Sequence, residues 1–178
     1  MFALKQKLKG DDNPLNVVLV QEIQRYNVLL NKLVVSLDQL AKGIQGLVVI
    51  SPDLEEIINA LNENKVPVAW AFAYFSLKPL AAWFADLKVR YEFFNTWALK
   101  SIPYHFAVGS FTYPTGFTTS LLQRFSRKAS GAPIDRLEFD FIPIPKEPQE
   151  LNEHPKDGAF ITGLFLEGAK WDPEKLCI

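Results

Sequence analysis

Residues 15–40 can fold in few ways other than as one long helix. Leu15, Val18, Leu19, Ile23, Tyr26, Leu30, Leu33, Leu37 and Leu40 recur at three- and four-residue steps, a spacing that lines up one face of an α-helix. Asn13 can accept a hydrogen bond from the first turn, and Pro14 suits the first helical position, where a missing N–H costs nothing. Gln21, Arg25, Lys32 and Gln39 fall between the apolar positions, and Gly43 or Gly46 can end the helix. An apolar stripe of about seven turns must be covered along its whole run. A coiled-coil seam would cover it, but the length suits a helix packed within a bundle better.

The next segments supply that cover. Residues 47–50 are a short apolar run, and Ser51-Pro52 restarts a helix with cap and proline in the favoured order. Leu54, Ile57, Ile58 and Leu61 form its inward stripe, residues 62–65 are a polar break, and Pro67 leads into Trp70, Phe72 and Tyr74. A further long helix follows Pro79, with Leu80, Trp83, Phe84, Leu87, Tyr91, Phe94 and Trp97 on one side and Lys88, Arg90 and Glu92 elsewhere. An aromatic stripe of this kind is a core face rather than a cofactor box.

From Ser101 the pattern changes, because Pro103, Gly109, Pro114, Gly116, Gly131, Pro133, Pro143, Pro145 and Pro148 cut the polypeptide into short pieces. Residues 114–127 still read as a helix, with Phe117, Leu121 and Phe125 inward. Residues 136–142 alternate, Leu137, Phe139 and Phe141 against Glu138 and Asp140, which predicts a half-buried strand. Residues 143–155 read as an exposed connection, Asp157-Gly158 as a turn, and 159–166 as a second strand containing Gly163. The expected class is α+β, a helical layer followed by a partial antiparallel sheet. Two strands cannot bury themselves, so that sheet is expected to be incomplete.

Functional chemistry is sparse. A net charge of −1 leaves no excess of cations for nucleic acid. No apolar run approaches the length of a membrane span, and residues 1–9 lack the apolar core of a secretory signal. The single cysteine, Cys177, cannot pair internally, which suits a reducing compartment. Neither G-x-x-x-x-G-K-[ST] nor G-x-G-x-x-G occurs. His105, His154 and Cys177 have no zinc-ligand spacing, and Ser110 lies near His105 without a Gly-x-Ser-x-Gly elbow. Glu138 and Asp140 share a strand face, as solubilising acids do. Arg124, Arg127 and Lys128 complement a helix C-terminus, although they could also face an acidic partner. These residues therefore offer no catalytic, cofactor-binding or metal site.

Several blocks, in order, resemble the C-terminal region of dynein heavy chains, the axonemal branch above all. Leu19-Val20-Gln21-Glu22-Ile23-Gln24-Arg25-Tyr26-Asn27 is similar to the helix that follows the sixth AAA module. Gly43-Ile44-Gln45-Gly46-Leu47-Val48-Val49 with Leu54-Glu55-Glu56 resembles the next block. Lys65-Val66-Pro67 with Trp70, then Ser76-Leu77-Lys78-Pro79-Leu80 with Asp86-Leu87 and Arg90, resembles the most recognisable one. Pro133-Ile134-Asp135, Phe139-Asp140-Phe141, and Asp157-Gly158 leading to Gly163-Leu164-Phe165-Leu166-Glu167-Gly168-Ala169-Lys170-Trp171-Asp172 complete the likeness. Ala107-Val108-Gly109-Ser110-Phe111, the early Gly116 and residues 1–12 depart from it.

The resemblance leaves 1–13 as an unmatched leader and implies a helical layer at 14–100, and a helix plus truncated antiparallel barrel at 101–178. The protein would then be a structural and regulatory cap on the AAA ring of a microtubule motor, without catalysis of its own. ATP and magnesium would belong to the parent motor, and none of the family's catalytic residues maps here. The implied partners are the AAA ring and the remaining barrel strands, with microtubules reached only through the parent. Neither nucleic acid nor membrane is implied, and the implied location is cytoskeletal, in a ciliary or flagellar axoneme. The alternative is a stand-alone interaction module that self-associates or binds a partner through apolar surface the motor would otherwise cover.

Overall fold

The computed structural model describes residues 12–74, 76–128 and 132–163. Helix α1 spans Pro14–Ile44, α2 Pro52–Asn62, α3 Val68–Ala71 and α4 Leu80–Leu99. Strand β1 (His105–Ala107), helix α5 (Pro114–Lys128) and strand β2 (Phe160–Thr162) follow, with short 3-10 turns at Val108–Ser110, Ile134–Arg136 and Pro148–Glu150. The protein divides into two compact units. Leu19–Leu99 belongs to the first, and residues 12–18 with 100–163 to the second.

The helix ends follow from local chemistry. At the start of α1 the Asn13 side chain accepts from the Leu15 N–H at 3.2 Å. At its end Gly46 takes φ 71°, while the Leu47 N–H reaches the Lys42 carbonyl at 2.9 Å and the Gly46 N–H reaches that of Gly43 at 3.0 Å. Those paired bonds satisfy carbonyls left over at a helix end. Ser51 Oγ caps α2 by accepting from the Leu54 N–H at 3.3 Å. The same C-terminal motif closes α2, but on Asn64, a residue with a side chain at φ 55°. The Asn64 carbonyl then accepts from the Leu80 N–H at 3.0 Å, satisfying a donor in the first turn of α4 and joining the two helices.

In the first unit Leu29, Leu33, Ile57, Trp70, Trp83 and Leu87 form the buried cluster. The Trp70 and Trp83 rings stack, with centroids 6.2 Å apart and planes 18° from parallel. Within this unit the inward face of α1 runs through Leu19, Glu22, Tyr26, Leu29, Leu33, Ser36 and Leu40. Most of the expected stripe is thus inward, with Leu37 the exposed exception, and Glu22 is buried as well, its carboxylate 3.2 Å from Arg25. In α4 the buried positions are Trp83, Leu87, Arg90, Phe94 and Trp97. Arg90 therefore belongs to the face from which sequence patterning excludes it, and Tyr91 turns half outward.

In the second unit Phe106, Phe111 and Phe117 are buried together, with ring centroids 4.8 Å apart for Phe106–Phe117 and 4.5 Å for Phe111–Phe117. Strands β1 and β2 pair in parallel, His105 opposite Phe160, Phe106 opposite Ile161 and Ala107 opposite Thr162. This overturns the expected partial antiparallel sheet and truncated barrel, since the described residues contain two short parallel strands and no antiparallel pair. The alternating segment 136–142 forms no strand. It leaves a 3-10 turn, with the Leu137 N–H bonded to the Ile134 carbonyl at 3.1 Å, and then runs without ladder bonds. Phe139 is 41% exposed and Phe141 62%. Alternation gives a strand two faces but not the neighbouring backbone that makes it a strand, and Pro143 and Pro145 remove donors just beyond. The expected 159–166 strand is realised at Phe160–Thr162, where Gly163 at φ 77° follows it; residues 164–166 lie outside the described ones.

Two substitutions test this packing in equilibrium unfolding. Trp83 is fully buried, so Trp83→Ala is expected to cost about 3–5 kcal/mol; a loss well under about 1 kcal/mol would place the ring at the surface. At Asn64, valine is expected to cost about 1–2 kcal/mol because of the left-handed backbone, while glycine should cost little. Equal losses for the two variants would contradict the capping geometry.

Candidate functional site

The block from Lys65 to Arg90 converges on Tyr74. Lys78 Nζ donates to Asp86 Oδ1 at 2.9 Å, and the Tyr74 hydroxyl donates to Asp86 Oδ2 at 2.5 Å. The Arg90 guanidinium lies 4.0 Å from the centre of the Tyr74 ring, a desolvated cation on an aromatic face. Arg90 is only 3% exposed, and its Nε and Nη1 have no hydrogen-bond acceptor, so the ring carries much of the burden of keeping that charge inside. The Tyr74 carbonyl accepts from the Trp83 indole N–H at 3.3 Å, and the Trp70 indole N–H reaches Ser36 Oγ at 3.0 Å. Tyr26 donates its hydroxyl to the Leu87 carbonyl. Pro67, just before α3, is fully buried.

The electrostatics follow from this geometry. Burial pushes the Tyr26 phenol up to about 12, against the lowering influence of Arg90. Burial, then the bond to Asp86, raises Tyr74 as well. Burial would raise Asp86, but the hydrogen bonds from Tyr74 and Lys78, with the charges of Lys78 and Arg90, bring its carboxyl below the ordinary value. Both phenols therefore stay protonated near neutrality and the carboxylate stays charged. The cluster is a positioning knot that fixes α4 and the residues before it, and it contains no nucleophile paired with a base.

The remaining candidates do not assemble. His105 lies on β1 with Nδ1 buried and lacking a hydrogen-bond partner, and Ser110 is buried in the following 3-10 turn. His154 packs on Tyr104, with ring centroids 4.9 Å apart. Glu138 and Asp140 are exposed on the irregular segment, and Cys177 lies outside the described residues. Among the described residues no three His, Cys, Asp or Glu side groups come together as metal ligands, and no helix is long and apolar enough to cross a membrane. A cleft of about 480 Å³ lies beside α2, lined by Glu55, Glu56, Glu63, Lys65 and Val68 among others. Three of its polar side chains are engaged within the fold, Lys65 with Glu63 at 2.6 Å and Glu56 with the Val68 N–H at 3.3 Å.

Comparison with known proteins places the knot in context. Residues 2–178 match the family model for the C-terminal domain of the dynein heavy chain. The protein belongs to this family. It is 49% identical over 173 residues to the Dynein-1-beta heavy chain, flagellar inner arm I1 complex, of Chlamydomonas reinhardtii, covering 97% of its own length and 4% of that protein. It is 47% identical over 175 residues to human Dynein axonemal heavy chain 2, again covering 97% and 4%. Against human Dynein axonemal heavy chain 1 it is 45% identical over 164 residues, covering 92% and 4%. The sequence therefore spans a small fraction of the length of the heavy chains it matches.

Within this dynein domain, Lys78, Asp86 and Arg90 come together as a group that the block resemblance names but does not explain. Sequence reading missed Tyr74 as their centre and Glu22 as a buried group, and it placed Tyr26 on the inward face of α1 without the partner of its hydroxyl. An aromatic hydroxyl one helical turn from Trp70 carries no distinguishing signal until Asp86 is brought to it.

The Asp86 pKa is lowered in the folded protein, so its stabilisation is present above the ordinary carboxylate range and fades as pH falls through the folded value. Denaturant titrations from about pH 6 to pH 2 should therefore show a shallower acid loss in Asp86→Asn than in the wild type. Superimposable acid limbs would show that the knot does not hold this carboxylate.

Proposed function

We propose that this dynein domain acts as a non-catalytic cap, bracing the AAA ring of an axonemal heavy chain and tuning its communication with the stalk and linker. The match of nearly all of this sequence to 4% of far longer heavy chains carries this reading. A segment of that proportion contributes to a motor whose ATP and magnesium chemistry, and whose grip on microtubules, belong to other modules. Its partner is the rest of the heavy chain. Neither nucleic acid nor a membrane has a place in this reading. The domain's location is cytoskeletal, in cilia or flagella, supported by relatives named as axonemal and flagellar.

Exposed apolar surface in the first unit supports a bracing role. Val28, Val34 and Val35 of α1 face solvent, as do Leu47 and Val49 just beyond it, Val49 at 92%. Such residues are costly to leave wet and are suited to burial against a neighbouring module.

Deleting the domain from an intact heavy chain tests the proposal. Basal ATP hydrolysis should persist, while microtubule stimulation and gliding velocity should change by about twofold or more. Unchanged stimulation and velocity would overturn the bracing role, and loss of basal hydrolysis in a motor whose ring still assembles would overturn the non-catalytic assignment. An antibody against residues 15–40 addresses the stand-alone alternative: a very large endogenous polypeptide supports the cap, and one of 178 residues excludes it.

A further inference from the structure

The three basic residues at the end of α5 have different surroundings. Arg127 is engaged by Asp12, with Nη1 2.9 Å from Oδ1. Arg124 and Lys128, one turn apart on the same helix face, instead border a notch that Lys156 and Asp157 complete from a distant part of the sequence, with Leu121 and Phe125 on its apolar side. Lys156 is brought there by the turn at Gly158, which takes φ 77°, and that turn leads into β2, held in register on β1. Three cations thus share the notch with one carboxylate. None of the three forms an ion pair among the described residues.

The helix dipole accounts for basic residues in the last turn of α5, but not for Lys156, which lies outside any helix. We infer that this notch is a docking surface for a carboxylate-rich peptide segment of a partner protein. The positive excess is local, since the protein as a whole has a net charge of −1, and like-charged side chains gathered at one place favour an oppositely charged visitor. The apolar wall selects the class of visitor. Phe125 is half-buried and keeps apolar surface beside the cations, whereas Leu121 at 7% exposure offers little, so an acidic peptide bearing one aliphatic or aromatic group meets both the charges and the Phe125 ring, and a sugar–phosphate backbone meets only the charges. The inference concerns the second unit and does not depend on the bracing role.

The test is fluorescence anisotropy on the full 178-residue protein, with a labelled glutamate-rich peptide bearing a central leucine. Binding should weaken about tenfold between about 50 and 300 mM salt. It should weaken about fivefold or more in Lys156→Glu, a change outside α5 that leaves the helix end intact, and similarly in Arg124→Gln. Arg127→Gln should change it less than about twofold, because Asp12 already engages that guanidinium. Circular dichroism matching the wild type would establish that each variant is folded. Wild-type affinity in folded Lys156→Glu would overturn the inference, as would no binding at low salt. Displacement of the peptide by an oligonucleotide of equal charge, as readily as by unlabelled peptide, would also overturn it by marking a general polyanion surface.

Discussion

Two indole N–H groups govern how the first unit packs. Each tryptophan of the Trp70–Trp83 stack brings a single donor fixed in the plane of its ring, and a buried donor without an acceptor is expensive. Trp70 finds Ser36 Oγ and Trp83 finds the Tyr74 carbonyl. Ser36 is itself tied to the Lys32 carbonyl at 2.7 Å, so the acceptor is fixed to the α1 backbone. The stack can therefore meet α1 at one height and one rotation. That rotation brings Ser36 toward the interior and turns Leu37 out, although side-chain hydrophobicity alone favours the reverse.

Tyr74 extends the same logic from hydrogen bonds to charge. Its hydroxyl steadies Asp86, its ring faces Arg90 and its carbonyl receives Trp83, so one residue serves three neighbours. A buried guanidinium with open N–H groups would ordinarily be destabilising. Here the aromatic face and the nearby carboxylate offset part of that cost, and the arrangement is specific because neither works unless Tyr74 is placed correctly. The knot is best understood as geometry held by charge rather than as a reactive centre.

Legibility in the sequence followed the range of the interaction concerned. Caps at Asn13 and Ser51, a glycine stop at Gly43 or Gly46 and the Trp83 core position depend on residues a few places apart, and these could be read directly. The inward placement of Arg90 and Glu22 could not, because a charged group is excluded from a core face until its partner is known. The failed strand at 136–142 has a related cause. Its alternation is genuine, but pairing depends on which backbone lies alongside, and β2 finds its partner in the distant residues 105–107. The Lys156 contribution to the basic notch was hidden for the same reason.

That parallel pairing has a consequence for how domains of this kind can vary. The strands it joins are separated by about fifty residues, and the entropy of closing so long a connection changes only logarithmically with its length, at about 0.6 kcal/mol for each doubling. Much of residues 137–155 is exposed and outside regular structure. Lengthening or shortening that stretch by several residues scarcely alters the cost of bringing Phe106 beside Ile161. The domain thus has a region of thermodynamic slack between two registered strands, where new surface can be added without retuning the fold that supports it.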